Sequence, residues 1–252
     1  MVNVILRPLA GTHRHSRRKG LPAKVVVITG AGRGIGRATA GVFAAERYAV
    51  VVAELRSELG RRTERTLRKS GAQALFVRTD VTSPASVGET IRAVVSRFGR
   101  IDCLVNNAGV LKPGELVKLP VRDVERMLAV NLRGPILFSR AVLRVMLHQR
   151  SGSIVNVASQ LGKVGIAEYA TYCASKFGIV GFTQALADEL ARTGIAVWAV
   201  CPGLVDTAMA RQAGVSAGER PGLIRPETVA QVIVDLATSR RRQESGSAVD
   251  VT

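Results

Sequence analysis

Aromatic residues are scarce in this 252-residue chain, at 4%. Its core must therefore be assembled mainly from Ala, Val, Leu and Ile. The total apolar content, 47%, is too high for a disordered chain. Cysteine is rare as well. Cys103, Cys173 and Cys201 lie far apart, an odd count that supplies neither a disulfide framework nor a metal-ligand pair. No metal site is expected, and the scarcity of cysteine points to a reducing, cytoplasmic setting. No apolar run reaches the roughly 18–20 residues of a membrane-spanning helix. Acids are few: 19 Asp and Glu stand against 36 Lys and Arg, a net charge of +17.

Only seven of those cations are Lys, so the excess is one of arginine and is compatible with coding bias. The alternative is attraction to anions: nucleic acid, phosphorylated cofactors or acidic carrier partners. Nucleic acid is disfavoured, because aromatics interleaved with the cations, on which bases stack, are missing. Residues 1–23 hold no acid and carry Arg7, Arg14, Arg17, Arg18 and Lys19. The apolar stretch Val4-Ile5-Leu6 is too short for a secretory signal. A disordered basic arm is expected there, with a transit peptide or a start codon placed too far upstream as alternatives.

From Lys24 onward, short β-branched runs alternate with helical periodicity. Strands are predicted at 24–29 (KVVVIT), 48–54, 73–79, 101–105, 153–158, 195–201 and 248–251. Helices are predicted between them, at 35–47, 57–70, 84–98, 121–148, 168–192 and 226–239. Ser83 before Pro84 reads as an N-cap with Pro at the first helical position. Pro135 should kink or split the helix over 121–148. Residues 204–225 read as loop. Strands apolar on both faces, alternating with helices, imply an α/β fold: one doubly wound, Rossmann-like parallel sheet with helices on both faces, spanning 24–252 as a single domain.

The segment Thr29-Gly30-Ala31-Gly32-Arg33-Gly34-Ile35-Gly36 joins the first strand to the first helix. Four glycines within residues 30–36 let the backbone approach a ligand closely. The helix that follows offers its N-terminal N–H groups to an anion such as a pyrophosphate. Glu54, at the end of the second strand, is placed to accept hydrogen bonds from the 2′- and 3′-hydroxyls of a ribose, which favours NAD over NADP. Arg33 and Arg56 argue the other way, since either can pair with a 2′-phosphate.

Tyr172 and Lys176 are four apart in a predicted helix and share a face. A phenol titrates near 10 and is a poor acid–base group at neutral pH. A nearby ammonium should lower that value and let the pair exchange a proton at a carbonyl or alcohol oxygen. Tyr169 has Cys173 in the corresponding position and lacks such a partner. The lone Trp198 and the cysteines read as core.

In order along the chain, Thr29–Gly36 (TGAGRGIG), Asn106–Gly109 (NNAG), Asn131, Ser159, Tyr172–Lys176 (YCASK) and Pro202-Gly203 resemble the single-domain short-chain dehydrogenase/reductases. The closest flavour is that of 3-oxoacyl-carrier-protein reductases and general alcohol dehydrogenases. The resemblance implies an NAD(P)-dependent oxidoreductase that moves a hydride between the nicotinamide and a secondary alcohol or ketone. It implies Tyr172 as general acid/base, with Lys176 lowering its pKa and binding the nicotinamide ribose. Ser159 would hydrogen-bond the substrate oxygen, and Asn131 would hold a water that relays protons. Gly30, Arg33, Gly34, Ile35 and Gly36 would hold the cofactor, Asp80 and Val81 would contact its adenine, and Asn107, Ala108 and Gly109 would line its cleft. Pro202, Gly203 and Thr207 would sit by the nicotinamide. Ser159 and Asp80 also read as simple caps, and Asn131 as an ordinary helix hydrogen-bonder.

The chain ends at Ala248–Thr252 without the family's glycine-rich tail, and Arg240-Arg241-Arg242 precedes that strand. A homodimer or homotetramer is expected, the dimer through the two long helices. The substrate is expected to be a small alcohol or ketone, free or linked to a carrier or coenzyme A. The competing reading is a catalytically silent nucleotide-binding regulator that uses its basic surface to hold nucleic acid or an acidic partner.

Overall fold

The computed structural model describes residues 23–214 and 222–252, so the arm expected at 1–23 lies outside the described residues except for Ala23. The chain alternates strands and helices. It runs β1 (Val25–Thr29), α1 (Gly34–Ala45), β2 (Ala49–Glu54), α2 (Ser57–Lys69), β3 (Ala74–Arg78), α3 (Pro84–Phe98) and β4 (Cys103–Asn106). It continues with α4 (Val121–Leu128), α5 (Gly134–Gln149), β5 (Gly152–Val157), α6 (Ala170–Glu189), β6 (Ile195–Pro202), α7 (Ala208–Gln212), α8 (Pro226–Ala237) and β7 (Ala248–Val251).

The strands form one parallel sheet in the order β3-β2-β1-β4-β5-β6-β7. Strand order reverses between β1 and β4, which pair directly with Val26 opposite Cys103. A doubly wound sheet opens a crevice at the C-terminal ends of the strands on either side of that switch. The Val runs form strands because both faces are covered: Val25–Ile28 and Ala49–Val52 are fully buried. Alternate residues serve opposite layers. Val26 and Ile28 meet Phe43 of α1, Leu67 of α2 and Ile233 of α8. Val25 and Val27 meet Val94 of α3, Phe138 of α5 and Leu186 of α6.

The outer edge of β3 is closed by side chains of α2. Glu64 Oε1 accepts from the Phe76 N–H at 3.1 Å, and Arg68 donates to the Ala74 carbonyl at 3.0 and 3.1 Å. The two side chains also pair with each other at 2.9 Å. Exposed edge backbone is an association hazard, and charged groups placed across it blunt that hazard.

Ser83 caps α3 by accepting from the Ser86 N–H at 3.3 Å. The helix expected over 121–148 is interrupted as Pro135 requires. α4 gives way to a π-turn at Ala129–Arg133 before α5 begins. Proline has no N–H to give the carbonyl of Asn131 four residues back. In the segment expected to be loop, the structure instead forms α7. Its N-terminus is capped by Thr207, whose Oγ1 accepts from the Ala210 N–H at 3.4 Å. A five-residue helix is too short to leave a readable period.

Candidate active site

The glycine loop folds hard against the turn after β4. Gly30 has φ +64°, and a Cβ there would stand 2.9 Å from Ala108 Cα. A Cβ on Gly36 would stand 2.5 Å from the Gly30 carbonyl oxygen and against Asn107 Nδ2. Asn107 Nδ2 donates to the carbonyls of Thr29 at 2.9 Å and Gly30 at 3.1 Å. Thr29 Oγ1 accepts from the N–H groups of Asn107 and Ala108, both at 3.0 Å. Asn107 thus fastens the loop through its side chain. Thr29 is a site-building residue that the sequence reading left without a role. A hydroxyl at the last strand position before a glycine loop was its one signal.

No side chain caps α1, and its first turn contains no acid. Its N-terminal N–H groups and positive dipole end therefore face the loop uncompensated, the arrangement a pyrophosphate requires. A dinucleotide fits these residues. At the neighbouring strand end Glu54 is 7% exposed. Its Oε2 accepts from the Gly32 N–H and its Oε1 from the Arg56 N–H, both at 3.0 Å. Each carboxylate oxygen keeps acceptor capacity for a ribose hydroxyl. Positive charge gathers here too. Burial, and then the neighbouring guanidinium of Arg56, push the Arg33 pKa down, Glu54 pulls it up, and Arg211 adds a further downward push.

Asp80 is bound locally: its Oδ1 accepts from the N–H and hydroxyl of Thr82 at 2.9 and 2.7 Å. Val81 packs on the start of α5, 3.2 Å from where a Cβ on Gly134 would lie. Across the crevice, Thr207 Cγ2 stands 3.2 Å from a Cβ position on Gly34, and Met209 Cε 3.8 Å from one on Gly109. α7 therefore bridges the glycine loop and the turn after β4. Pro202 ends β6, and the Gly203 N–H donates to the Val251 carbonyl at 3.0 Å.

Tyr172 and Lys176 occupy the first turns of α6 and are both buried. Lys176 Nζ lies 5.6 Å from the Tyr172 ring centroid and donates to the Val157 carbonyl at 2.8 Å. The expected acidification of the phenol by this ammonium is not what the structure gives. Burial pushes the Tyr172 hydroxyl up to about 12, a hydrogen bond with Ser159 pulls it down, and Cys173 adds a smaller upward push. Burial also lowers the Lys176 ammonium to about 8. Desolvation disfavours whichever form is charged, so it moves the two groups in opposite directions.

Ser159 is the cap that the sequence allowed, and it stands beside the tyrosine. Its Oγ accepts from the Leu161 N–H at 3.1 Å, capping a 3-10 turn, while it lies beside the Tyr172 hydroxyl. The Asn131 side chain is committed to structure: Oδ1 accepts from the Val110 N–H at 2.8 Å, and Nδ2 donates to the Val110 carbonyl at 2.9 Å and to Ser175 Oγ at 3.2 Å. Ser175 in turn donates to the Tyr172 carbonyl within α6 at 2.7 Å, so its bond with Asn131 ties the π-turn to α6. Among the described residues, no cluster of His, Cys, Asp and Glu could hold a metal, and no helix is long and apolar enough to cross a membrane.

A family model described as short chain dehydrogenase matches residues 24–216. The chain is 36% identical over 242 residues to a 3-oxoacyl-[acyl-carrier-protein] reductase of Thermotoga maritima, covering 92% of this chain and 97% of that protein. It is 40% identical over 223 residues to the cis-4-hydroxycyclohexanecarboxylate dehydrogenase of Sinomonas cyclohexanicum, covering 85% and 89%. Among solved structures, levodione reductase superposes with a TM-score of 0.84 at 31% identity, over 90% of this chain and 95% of that one.

Proposed function

Since the chain belongs to the short-chain dehydrogenase/reductase family, and is an NAD(P)-dependent oxidoreductase acting on an alcohol or ketone group, we propose that Asn131, Ser159, Tyr172 and Lys176 carry its catalysis. We also propose that NAD is its preferred cofactor. The observation that carries the catalytic reading is the meeting of Ser159, Tyr172 and Lys176 beyond the end of β5, in the same sheet and at the same end as the glycine loop.

The bound dinucleotide supplies or accepts the hydride. The chain's residues handle the oxygen and its proton. Ser159 hydrogen-bonds the substrate oxygen and steadies it as its charge changes. Tyr172 donates a proton to that oxygen during reduction and takes it back during oxidation. Lys176, fixed by the Val157 carbonyl, would hold the nicotinamide ribose through its ammonium. The carbonyl of Asn131, which Pro135 cannot satisfy, holds the water through which protons leave. Tyr172→Phe tests this reading. Turnover followed by the absorbance of the reduced nicotinamide should fall by about 10²–10⁴-fold, with cofactor binding retained. Undiminished turnover would refute the assignment.

The NAD reading rests on Glu54, whose carboxylate repels a 2′-phosphate. The gathering of Arg33, Arg56 and Arg211 supports NADP as a second reading. Titrating NAD+ and NADP+ side by side, by thermal shift, decides between them. We read the substrate as a small secondary alcohol or ketone, and comparing free with carrier-bound ketones tests a carrier-linked variant. Three buried free thiols support a cytoplasmic enzyme. Exposed Val121, Ile136 and Leu147 along α4 and α5 support a homodimer through those helices, or a homotetramer that includes it. The silent-regulator reading is not favoured, because the relatives are named as enzymes.

A further inference from the structure

We propose that Thr183 and Asn156 are positioning residues, members of a buried polar chain that sets Lys176 and Tyr172 over the end of β5. The inference rests on the catalytic reading above. The chain begins on α5, where the Pro135 carbonyl and Ser139 Oγ accept from Asn106 Nδ2 at 3.4 and 3.2 Å. Asn106 on β4 also donates to Asn156 Oδ1 on β5 at 2.9 Å, and the two residues are register partners. Asn156 Nδ2 donates to Thr183 Oγ1 on α6 at 2.9 Å, and Thr183 donates to the Ile179 carbonyl at 2.8 Å. Asn156 and Thr183 are fully buried, and Ser139 and Asn106 nearly so.

The rest of the same layer is Ala, Val, Leu, Ile, Phe and Met, and apolar groups would fill this space without the desolvation cost of two amides and two hydroxyls. What the polar chain adds is direction. Apolar contacts tolerate small slides of a helix along a sheet, whereas hydrogen bonds specify one position. The chain is placed where that position matters. Thr183 lies two turns beyond Lys176 on α6, and residues at that spacing share a face. Asn156 immediately precedes Val157, whose carbonyl receives the Lys176 ammonium. At its other end the chain grips Pro135, next to the π-turn that holds Asn131. One line of side chains thus connects α6, which bears Tyr172 and Lys176, and α5, which follows the turn of Asn131, to the strands beneath them.

Thr183→Val keeps the shape and removes the hydroxyl, leaving the Asn156 amide without its acceptor. Thr183→Ser restores it. In the cofactor-free protein, the 13Cε resonance of Lys176, assigned with a Lys176→Arg variant, reports its titration directly. In Thr183→Val the Lys176–Val157 bond loosens, so the titration should move down by about half a unit or more, because a hydrogen bond to the charged form is weakened. In turnover, kcat should fall by about tenfold, with the pH profile moved in the same direction and KM within about twofold, since a small misplacement acts on chemistry more than on binding. Thr183→Ser should restore both readouts. A Thr183→Val protein that titrates like the parent and loses only melting temperature would overturn the proposal. If Thr183→Val does not fold, Ser139→Ala shortens the chain at its other end. It should give a smaller shift of the same sign, and no shift would overturn the proposal equally. Because the lysine titration needs no turnover, a shifted titration beside an active Tyr172→Phe enzyme would sink the catalytic reading while leaving the positioning role.

Discussion

Burying the Lys176 ammonium should cost stability at neutral pH, and the size of that cost follows from its titration. The ammonium titrates at about 8 in the fold against an ordinary 10.5. The difference, about 2.5 units, corresponds to about 3 kcal/mol at 1.36 kcal/mol per unit. Below about pH 8 both the folded and unfolded chains hold the proton, and the folded one carries a buried charge, so the cost is fully present. Between about pH 8 and 10.5 the unfolded chain binds a proton that the folded chain does not, so stability rises with pH by that amount. Lys176→Met removes the titration and keeps most of the volume. It leaves the Val157 carbonyl without its donor, a cost of about 1–3 kcal/mol that does not vary with pH. Urea unfolding of both proteins at a series of pH values gives the difference in stability, parent minus variant. That difference should climb by about 3 kcal/mol across this window. Tyr48, Tyr172 and Cys103, each raised to about 12 by burial, pull stability down at alkaline pH in both proteins and cancel. A flat difference would refute the reasoning.

Glu54→Gln turns an amide N–H toward a backbone donor at Gly32 or Arg56. NAD+ affinity measured by thermal shift should fall by about tenfold, from the loss of one charge-assisted bond, and the ratio of NAD+ to NADP+ affinity should fall with it. An unchanged preference counts against Glu54 as the ribose reader. Gly36→Ala drives a Cβ to 2.5 Å from the Gly30 carbonyl oxygen and into Asn107. Fluorescence titration with NADH should show at least a ~10-fold weaker complex, because the loop must leave its anion-binding geometry; parental affinity would contradict the close packing of loop and turn. Glu64→Ala exposes the Phe76 N–H on the sheet edge, and sedimentation velocity should show new concentration-dependent association. A sedimentation profile identical to the parent would mean that the pair does not guard the edge.

The sheet was legible because parallel strands covered on both faces must be apolar at every position, and Val25–Ile28 and Ala49–Val52 are. The split of the long helix was legible because Pro135 lacks a donor. The Tyr172–Lys176 pair was legible because four residues is one helical turn. Hydrogen-bond partners far away in sequence were not. Asn107 fastens residues 78 and 77 positions earlier, and Asn156 meets Asn106 across 50. No local pattern distinguishes such an asparagine from one that lines a cleft. β4 begins at Cys103, two residues later than expected, because the backbone of Ile101 is taken up by the Gln149 side chain. The direction of the Tyr172 shift was also out of reach. Charge spacing along a helix is local, whereas desolvation depends on the strands and loops that close over the phenol.

That shift bears on how such a pair works. A phenol held near 12 keeps its proton at neutral pH. The protonated form is the one that could donate to a ketone oxygen. Oxidation of an alcohol asks the same oxygen to accept a proton, and that needs the phenolate. Only a favourable charge close by makes the phenolate accessible. Lys176 at about 8 is still charged at neutral pH, and one of its three N–H groups is bound to the Val157 carbonyl. Burial therefore outweighs the ammonium, which shares no hydrogen bond with the phenol. The ammonium's influence depends on distance and on the local dielectric, and both are fixed by how α6 lies on β5. The placement of that helix thus bears on the chemistry as directly as the identity of either residue.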